Sequence, residues 1–224
     1  MKKKDLLWGS ILLFIILFLA YPITRILFLS WTKAHPYIMG FIKVSILATM
    51  GEFLAIRIST GDFKKPQGVI YKFIVWGFIG MVFAIVFDVF AGGISYVMNK
   101  GLLPSFQNQK LNAFSTAFFT SAIMNLTFAP TFMAFHRVTD TFIDLGKGTL
   151  SNIFKVSLDK VLSTIDWKGF ISFVVCRTIP LFWIPAHTIT FILPQEYRVL
   201  SASFLSIALG AILSFSKKKR SSDS

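Results

Sequence analysis

A chain of 224 residues that is 54% hydrophobic, contains 26 Phe and has a mean hydropathy of +0.68 carries more apolar surface than a soluble domain of its size can bury, which points to a bilayer. The formal charge of +13 lies between apolar runs and at the two tails, with no basic face interleaved with stacking aromatics, and so argues against nucleic acid as a partner. The single cysteine, Cys176, excludes an internal disulfide and a thiolate metal site and is expected to serve packing.

The hydropathy pattern predicts an all-α polytopic transmembrane bundle of about six spans, one integral membrane domain over residues 1–224, plus a cytoplasmic amphipathic interfacial helix. The first run, about 6–29, is too long for a signal-peptide core, and Phe18-Leu19-Ala20 is a poor cleavage site. It is therefore expected to stay as an anchor. It also lacks the Ser- and Arg-rich amphipathic character of a transit peptide.

The second span, about 36–58, carries Lys43 and Glu52, each of which costs on the order of 3 kcal/mol to place in hydrocarbon without a partner. Ser45, Thr49 and Glu52 share one helical face, whereas Lys43 points the opposite way and lies near enough to the outer end to snorkel. In the third span, about 68–97, Gly77, Gly80, Ala84, Asp88, Ala91 and Ser95 form a narrow stripe of mostly small residues. That stripe reads either as a helix–helix seam holding Asp88 or as the wall of an aqueous path. The fourth span, about 110–137, has a threonine stripe (Thr116, Thr120, Thr127, Thr131), Asn125 on another side, and a kink expected at Pro130.

Residues 140–166 are less apolar, and Leu150, Ile153, Phe154, Leu158, Val161, Leu162 and Ile165 recur at helical spacing opposite Lys155, Asp159, Lys160 and Ser163. They predict an amphipathic helix over about 149–165 on the cytoplasmic interface; the alternative is a helix packed on a cytoplasmic loop. Asp166 can cap the next helix and Trp167 anchor it. The fifth span, about 167–192, contains Arg177, Pro180, Pro185 and His187, and its prolines predict a helix break. Arg177 is the natural counter-ion for Glu52 or Asp88. The sixth span, about 196–215, presents Ser203, Ser206, Gly210 and Ser214 for packing and leads into a basic tail at 216–224.

With both tails inside, Lys2, Lys3, Lys4, Arg57, Lys64, Lys65, Lys72, Arg137, Lys147, Lys155, Lys160 and Lys168 join the basic tail on the cytoplasmic side, leaving Arg25, Lys33, Lys100, Lys110 and Arg198 outside. The bias predicts an N-in/C-in multi-pass protein. A prokaryotic cytoplasmic membrane is the expected location, an organellar membrane the alternative. The lipid bilayer is the expected partner, and a homo-oligomer is compatible with the composition.

The stretch Trp31-Thr32-Lys33-Ala34-His35-Pro36 followed by Gly51-Glu52, then Gly77-Phe78-Ile79-Gly80, and finally Trp183, Pro185, Phe191, Pro194 and Arg198 is similar to the ordered motifs of the Mpv17/PMP22 family. That family's closing signature reads Trp-Pro-x-x-Gln-x-x-Asn-Phe…Pro-x-x-x-Arg. Here one residue separates Trp183 from Pro185, His187 stands near the Gln position, and Thr190 replaces Asn. The family's His-x-Trp-Tyr element has no counterpart after Gly80. The resemblance covers residues 31–215 and implies a channel-like or solute-permeability protein.

Catalysis is not expected, because the chain has no zinc-binding His pair, nucleophile elbow or phosphate-binding loop, and His35, His136 and His187 are scattered. No cofactor or metal is expected either. The candidate site is a polar cavity formed by Glu52, Asp88 and Arg177, with Lys43, His187 and Asn125 nearby and the break at Pro180 and Pro185 on its border. Two functions fit these residues. One is a pore or carrier for a small solute or ion; the other is a non-conducting scaffold whose charges are structural.

Overall fold

A computed structural model describes residues 3–222, without the side chains of Leu213 and residues 215–222. Lys2, residues 223–224 and the side chains of the basic tail thus lie outside the described residues. The fold is all-helical among the described residues, in the order α1 (Lys3–Ala20), α2 (Pro22–Ala34), α3 (Pro36–Thr60), α4 (Val69–Asn99), α5 (Gln109–Leu145), α6 (Leu150–Ile153), α7 (Leu158–Thr164), α8 (Trp167–Gly169), a π-helical segment (Phe170–Trp183), α9 (Ile184–Ile192) and α10 (Gln195–Ser222). Four helices are long and apolar enough to cross a membrane, Pro36–Thr60, Val69–Asn99, Gln109–Leu145 and Trp167–Ile192, and the bent pair α1–α2 makes up to five.

The expected first span is not one helix. The chain turns by 85° between α1 and α2. A residue before proline is driven out of the α region, and Tyr21, which precedes Pro22, is extended at φ −69°, ψ 128°. His35 before Pro36 leaves the α region in the same way, at φ −134°, ψ 62°, and separates α2 from α3. The far end of α3 is closed by Gly61 in the left-handed region (φ 76°), whose N–H reaches the Arg57 carbonyl.

Close backbone approach organises the core. Gly40 of α3 and Gly80 of α4 cross so tightly that a Cβ on Gly80 would collide with the Gly40 carbonyl, and one on Gly77 would enter the Phe41 ring. Farther along α3, Gly51 faces Ile207 of α10, whose Cα would lie 3.3 Å from an added Cβ. Small residues at both crossings let α3 sit between α4 and α10. The seam expected on α4 thus holds at Gly77 and Gly80, but Gly92 and Gly93 face open space and Asp88 and Ser95 are exposed. Around the crossings pack Val44, Ala48, Phe87, Met124 and Phe191.

Helix α5 runs on to Leu145, about two turns beyond the predicted end. The extension stays helical because Ile143 is buried and Asp144 reaches a lysine of α4. Pro130 sits inside this helix. The single amphipathic helix expected over 149–165 is instead two short ones, parted at Phe154–Ser157, with Ser157 capping the second by accepting from the Lys160 N–H. The apolar stripe divides accordingly. Val161 and Ile165 are buried in the protein, while Leu150, Phe154, Leu158 and Leu162 are exposed.

The fifth span does not break at its prolines; it widens. Proline lacks an N–H and its ring crowds the carbonyl one turn back, and the π register relieves both by passing bonds to the fifth residue back. The Ile184 N–H accordingly bonds the Ile179 carbonyl, and the Thr178 hydroxyl donates to Phe173 O at 3.1 Å. Pro185 follows directly, as the second residue of α9, where the register returns from π to α. Cys176, on the outer side of this segment, is exposed rather than packed.

Candidate binding cavity

A cavity of about 390 Å³ lies among α3, α4, α5, α9, α10 and the π-helical segment, within the range of small-molecule sites. Its walls are aromatic. Phe83 and Phe87 of α4 stack at 5.5 Å, Phe128 and Phe132 of α5 lie nearly parallel, and Phe83 meets Phe132 edge-on at 5.0 Å. The helical period of α4 and α5 places these rings one turn apart, so consecutive turns tile one wall.

The polar groups gather at two places. At the first, His187 of α9 is buried, with Nδ1 3.0 Å from Nδ2 of Asn125 on α5. The Asn125 amide also donates to the Ser121 carbonyl at 2.8 Å, and Ser121 Oγ donates to Ile184 O, tying α5 to α9. His187 Nδ1 also lies 3.2 Å from Asn125 Oδ1, so the pair fits an imidazole proton on either ring nitrogen. Trp183, one turn earlier, overlies His187 with ring centroids 5.0 Å apart. Trp183 Nε1 and His187 Nε2 have no hydrogen-bond partner among the described residues.

At the second, Glu52 of α3, His136 and Asp140 of α5 and the exposed Arg137 line the cavity. Glu52 accepts from Lys72 Nζ at 2.9 Å, and the same ammonium lies 3.1 Å from Asp144. His136 stacks on Trp76 at 4.1 Å and has its Nε2 3.7 Å from Asp140 Oδ2, while Asp140 Oδ1 has no hydrogen-bond partner among the described residues. Lys72, buried at 6% exposure, is the cation that holds Glu52.

Of the residues named for the polar cavity, Glu52, Asn125 and His187 line this one. Asp88 does not: it is exposed and accepts from Gln195 Nε2 at 2.7 Å. Arg177 is also exposed and, among the described residues, pairs with neither acid. Lys43 is buried on a different face of α3, with Nζ 4.8 Å over the Phe28 ring and 3.4 Å from the Glu196 carbonyl. Convergence of Glu52, Asp88 and Arg177 is thus corrected to a Glu52–Lys72–Asp144 group. Helix geometry explains it, since Asp88 lies between the buried Phe87 and the exposed Val89 and is rotated off the core face.

Lys72, His136, Asp140 and Asp144 were missed because Lys72 reads as an orientation charge at a span end and the α5 acids fall beyond its predicted end. The signal was present in the i, i+4 run His136-Asp140-Asp144, which places three polar groups on one helical face. The threonine stripe carries no site: Thr116, Thr120 and Thr127 each donate to the carbonyl four residues back. The closing motif is mainly architectural. Arg198 donates to the Leu193 and Phe191 carbonyls at the end of α9 and packs over the Phe191 ring, and Pro194 occupies the turn into α10. Trp183 alone of that motif lines the cavity. Compared with known proteins, the chain matches no family model, no curated protein and no solved structure.

Proposed function

We propose that this chain is a channel-like or carrier protein of a cell membrane, and that the cavity between α3, α4, α5 and α9 is the chamber through which a small, partly apolar solute passes. The observation that carries the reading is a small-molecule-sized chamber inside a set of apolar helices, lined by aromatic rings with Glu52, Asn125, Asp140 and His187 among them. The aromatic walls favour a partly apolar solute over a bare ion. Resemblance of Trp183, Pro185, Phe191, Pro194 and Arg198 to the Mpv17/PMP22 signature supports the same role.

The proposed arrangement is N-in/C-in in a prokaryotic cytoplasmic membrane. Lys4 donates to the Phe63 carbonyl and Asp5 pairs with Arg57, which gathers the start of α1 with Arg57, Lys64 and Lys65 at one end of the bundle, as a positive-inside arrangement requires. Packing of α10 against α3 around Gly51 supports its being a sixth crossing. The exposed Leu150, Phe154, Leu158 and Leu162 beside Lys155 and Lys160 suit the interface.

The scaffold reading is favoured by one observation, the closed Glu52–Lys72–Asp144 group, which needs no transport role. Solute flux in proteoliposomes discriminates. Wild-type protein should carry small solutes faster than empty liposomes, and Ala129→Phe, which fills the chamber from α5, should abolish the difference while the protein stays folded. Wild-type flux equal to that of empty liposomes across ions and small metabolites would sink the transport reading.

A further inference from the structure

We propose that α2 is an interfacial helix that seats one end of the bundle on phospholipid, with Ile23, Ile26, Leu27 and Trp31 among the upper acyl chains and Arg25 and Lys33 at head-group phosphates. The inference goes beyond the transport reading and does not depend on it, or on which side of the membrane this end faces.

Side-chain contacts fix where α2 lies. Lys4 donates to the Phe63 carbonyl at 2.9 Å, Arg57 donates to Asp5, and Trp8 Nε1 donates to Met50 O at 3.1 Å, so α1 starts beside the end of α3 and runs back along it. Its 18 residues rise about 27 Å, close to the roughly 30 Å of a hydrocarbon core. At its far end the chain turns by 85° into α2. There Lys33 Nζ lies 3.1 Å from Glu196 in the first turn of α10, and the Phe28 ring sits under the Lys43 ammonium of α3, so α2 crosses the end of the bundle at which α3 and α10 begin. Its 13 residues, about 20 Å long, are too few to span a bilayer. A helix at right angles to a crossing one lies along the membrane surface.

The residues of α2 sort onto three sides, since each turns about 100° from the last around the helix axis. Phe28 and Thr32 are buried and face the protein. Ile23, Ile26, Leu27, Ser30 and Trp31 share a second side, and the four apolar ones each keep half or more of their surface exposed. In water they would form an uncovered apolar patch, whereas acyl chains cover it. Arg25 and Lys33, both exposed and two turns apart, fall on the third side. No acid stands on α2, and among the described residues Arg25 pairs with none, so this side suits phosphate oxygens. Tyr21 and Trp31 flank the helix near its two ends and are exposed, the placement aromatic residues take at a membrane–water boundary.

The test attaches single nitroxide labels to the full-length chain in phosphatidylcholine vesicles, with the exposed Cys176 removed as Cys176→Ser, and measures collision with oxygen, which concentrates in lipid, and with a water-soluble nickel chelate. Labels at Ile23→Cys, Leu27→Cys and Ser30→Cys should favour oxygen at one shallow depth. A label at Leu13→Cys, midway along α1, should read deeper than all three, and one at Arg25→Cys should favour the chelate. A helix dipping into the bilayer would change depth by up to about 10 Å between residues 23 and 30, and such a gradient overturns the proposal. Preference for the chelate at all three positions overturns it in favour of a water-facing helix. Protection of all three from both reagents, with spin–spin broadening that dilution by unlabelled protein removes, overturns it in favour of a second copy of this chain. The phosphate contact is read separately. Arg25→Gln should lower the melting temperature by about 2 °C in phosphatidylcholine and leave it unchanged in the phosphate-free lipid digalactosyldiacylglycerol. An equal effect in the two lipids, or none in either, overturns the phosphate contact.

Discussion

Replacing Lys72 by Met should be the most damaging single charge removal in the protein. Lys72 is 7% exposed in its side chain and bridges Glu52, which is 24% exposed, and Asp144, which is 53% exposed. Breaking a fully buried pair by deleting one partner costs about 3 to 5 kcal/mol, most of it from the charge left behind. Asp144 can be rehydrated, and its share of the loss is that of a surface pair, about 0 to 1 kcal/mol. Glu52 lies deeper, under Lys72, which places the total near the lower bound, about 3 kcal/mol. For a chain of this length that is a fall of about 6 to 12 °C in melting temperature in detergent. The double variant Glu52→Gln/Lys72→Met removes both charges and should recover most of the loss, because a neutral amide no longer strands a carboxylate. A Lys72→Met protein that melts with wild type, or a double variant as unstable as the single one, would refute the reasoning.

The α3–α4 crossing predicts opposite outcomes for the same substitution along one helix. Gly80→Ala should destabilise by at least about 2 kcal/mol because its methyl meets the Gly40 backbone, whereas Gly92→Ala, in open space, should be neutral or gain up to about 1 kcal/mol of helix propensity; equal melting temperatures for the two variants would count against the crossing. Arg177→Leu should change stability by less than about 0.5 kcal/mol, measured by detergent melting, since its side chain is exposed and pairs with no acid among the described residues. A larger loss would restore Arg177 as an intramembrane counter-ion.

Much of the fold was legible because its signals are local. Runs of apolar residues long enough to span hydrocarbon mark α3 and α4 to within two residues, since Pro36 and Gly61 punctuate α3 by their own backbone preferences. Pro22 carries the same kind of signal, but the hydropathy run across it is unbroken, and hydropathy alone predicts one helix where α1 and α2 meet at 85°. Pro180 shows the converse: a local rule predicted a break, and a register change that keeps the helix continuous won.

What the sequence alone determined is a membrane-suited helical chain, the ends of α3 and α4, and the small-residue face at Gly77 and Gly80, all properties set within one helical turn or one apolar run. Which charges meet was decided only by the tertiary structure. Glu52 could be partnered by any cation in the bundle, and the rotation of α4 about its axis selected Lys72 while turning Asp88 outward to Gln195. The cavity has the same origin. Its phenylalanine rings come from α4 and α5 while Trp183 and His187 come from the π-helical segment and α9, and only packing of those helices brings them together, because a space between helices belongs to no one stretch of chain.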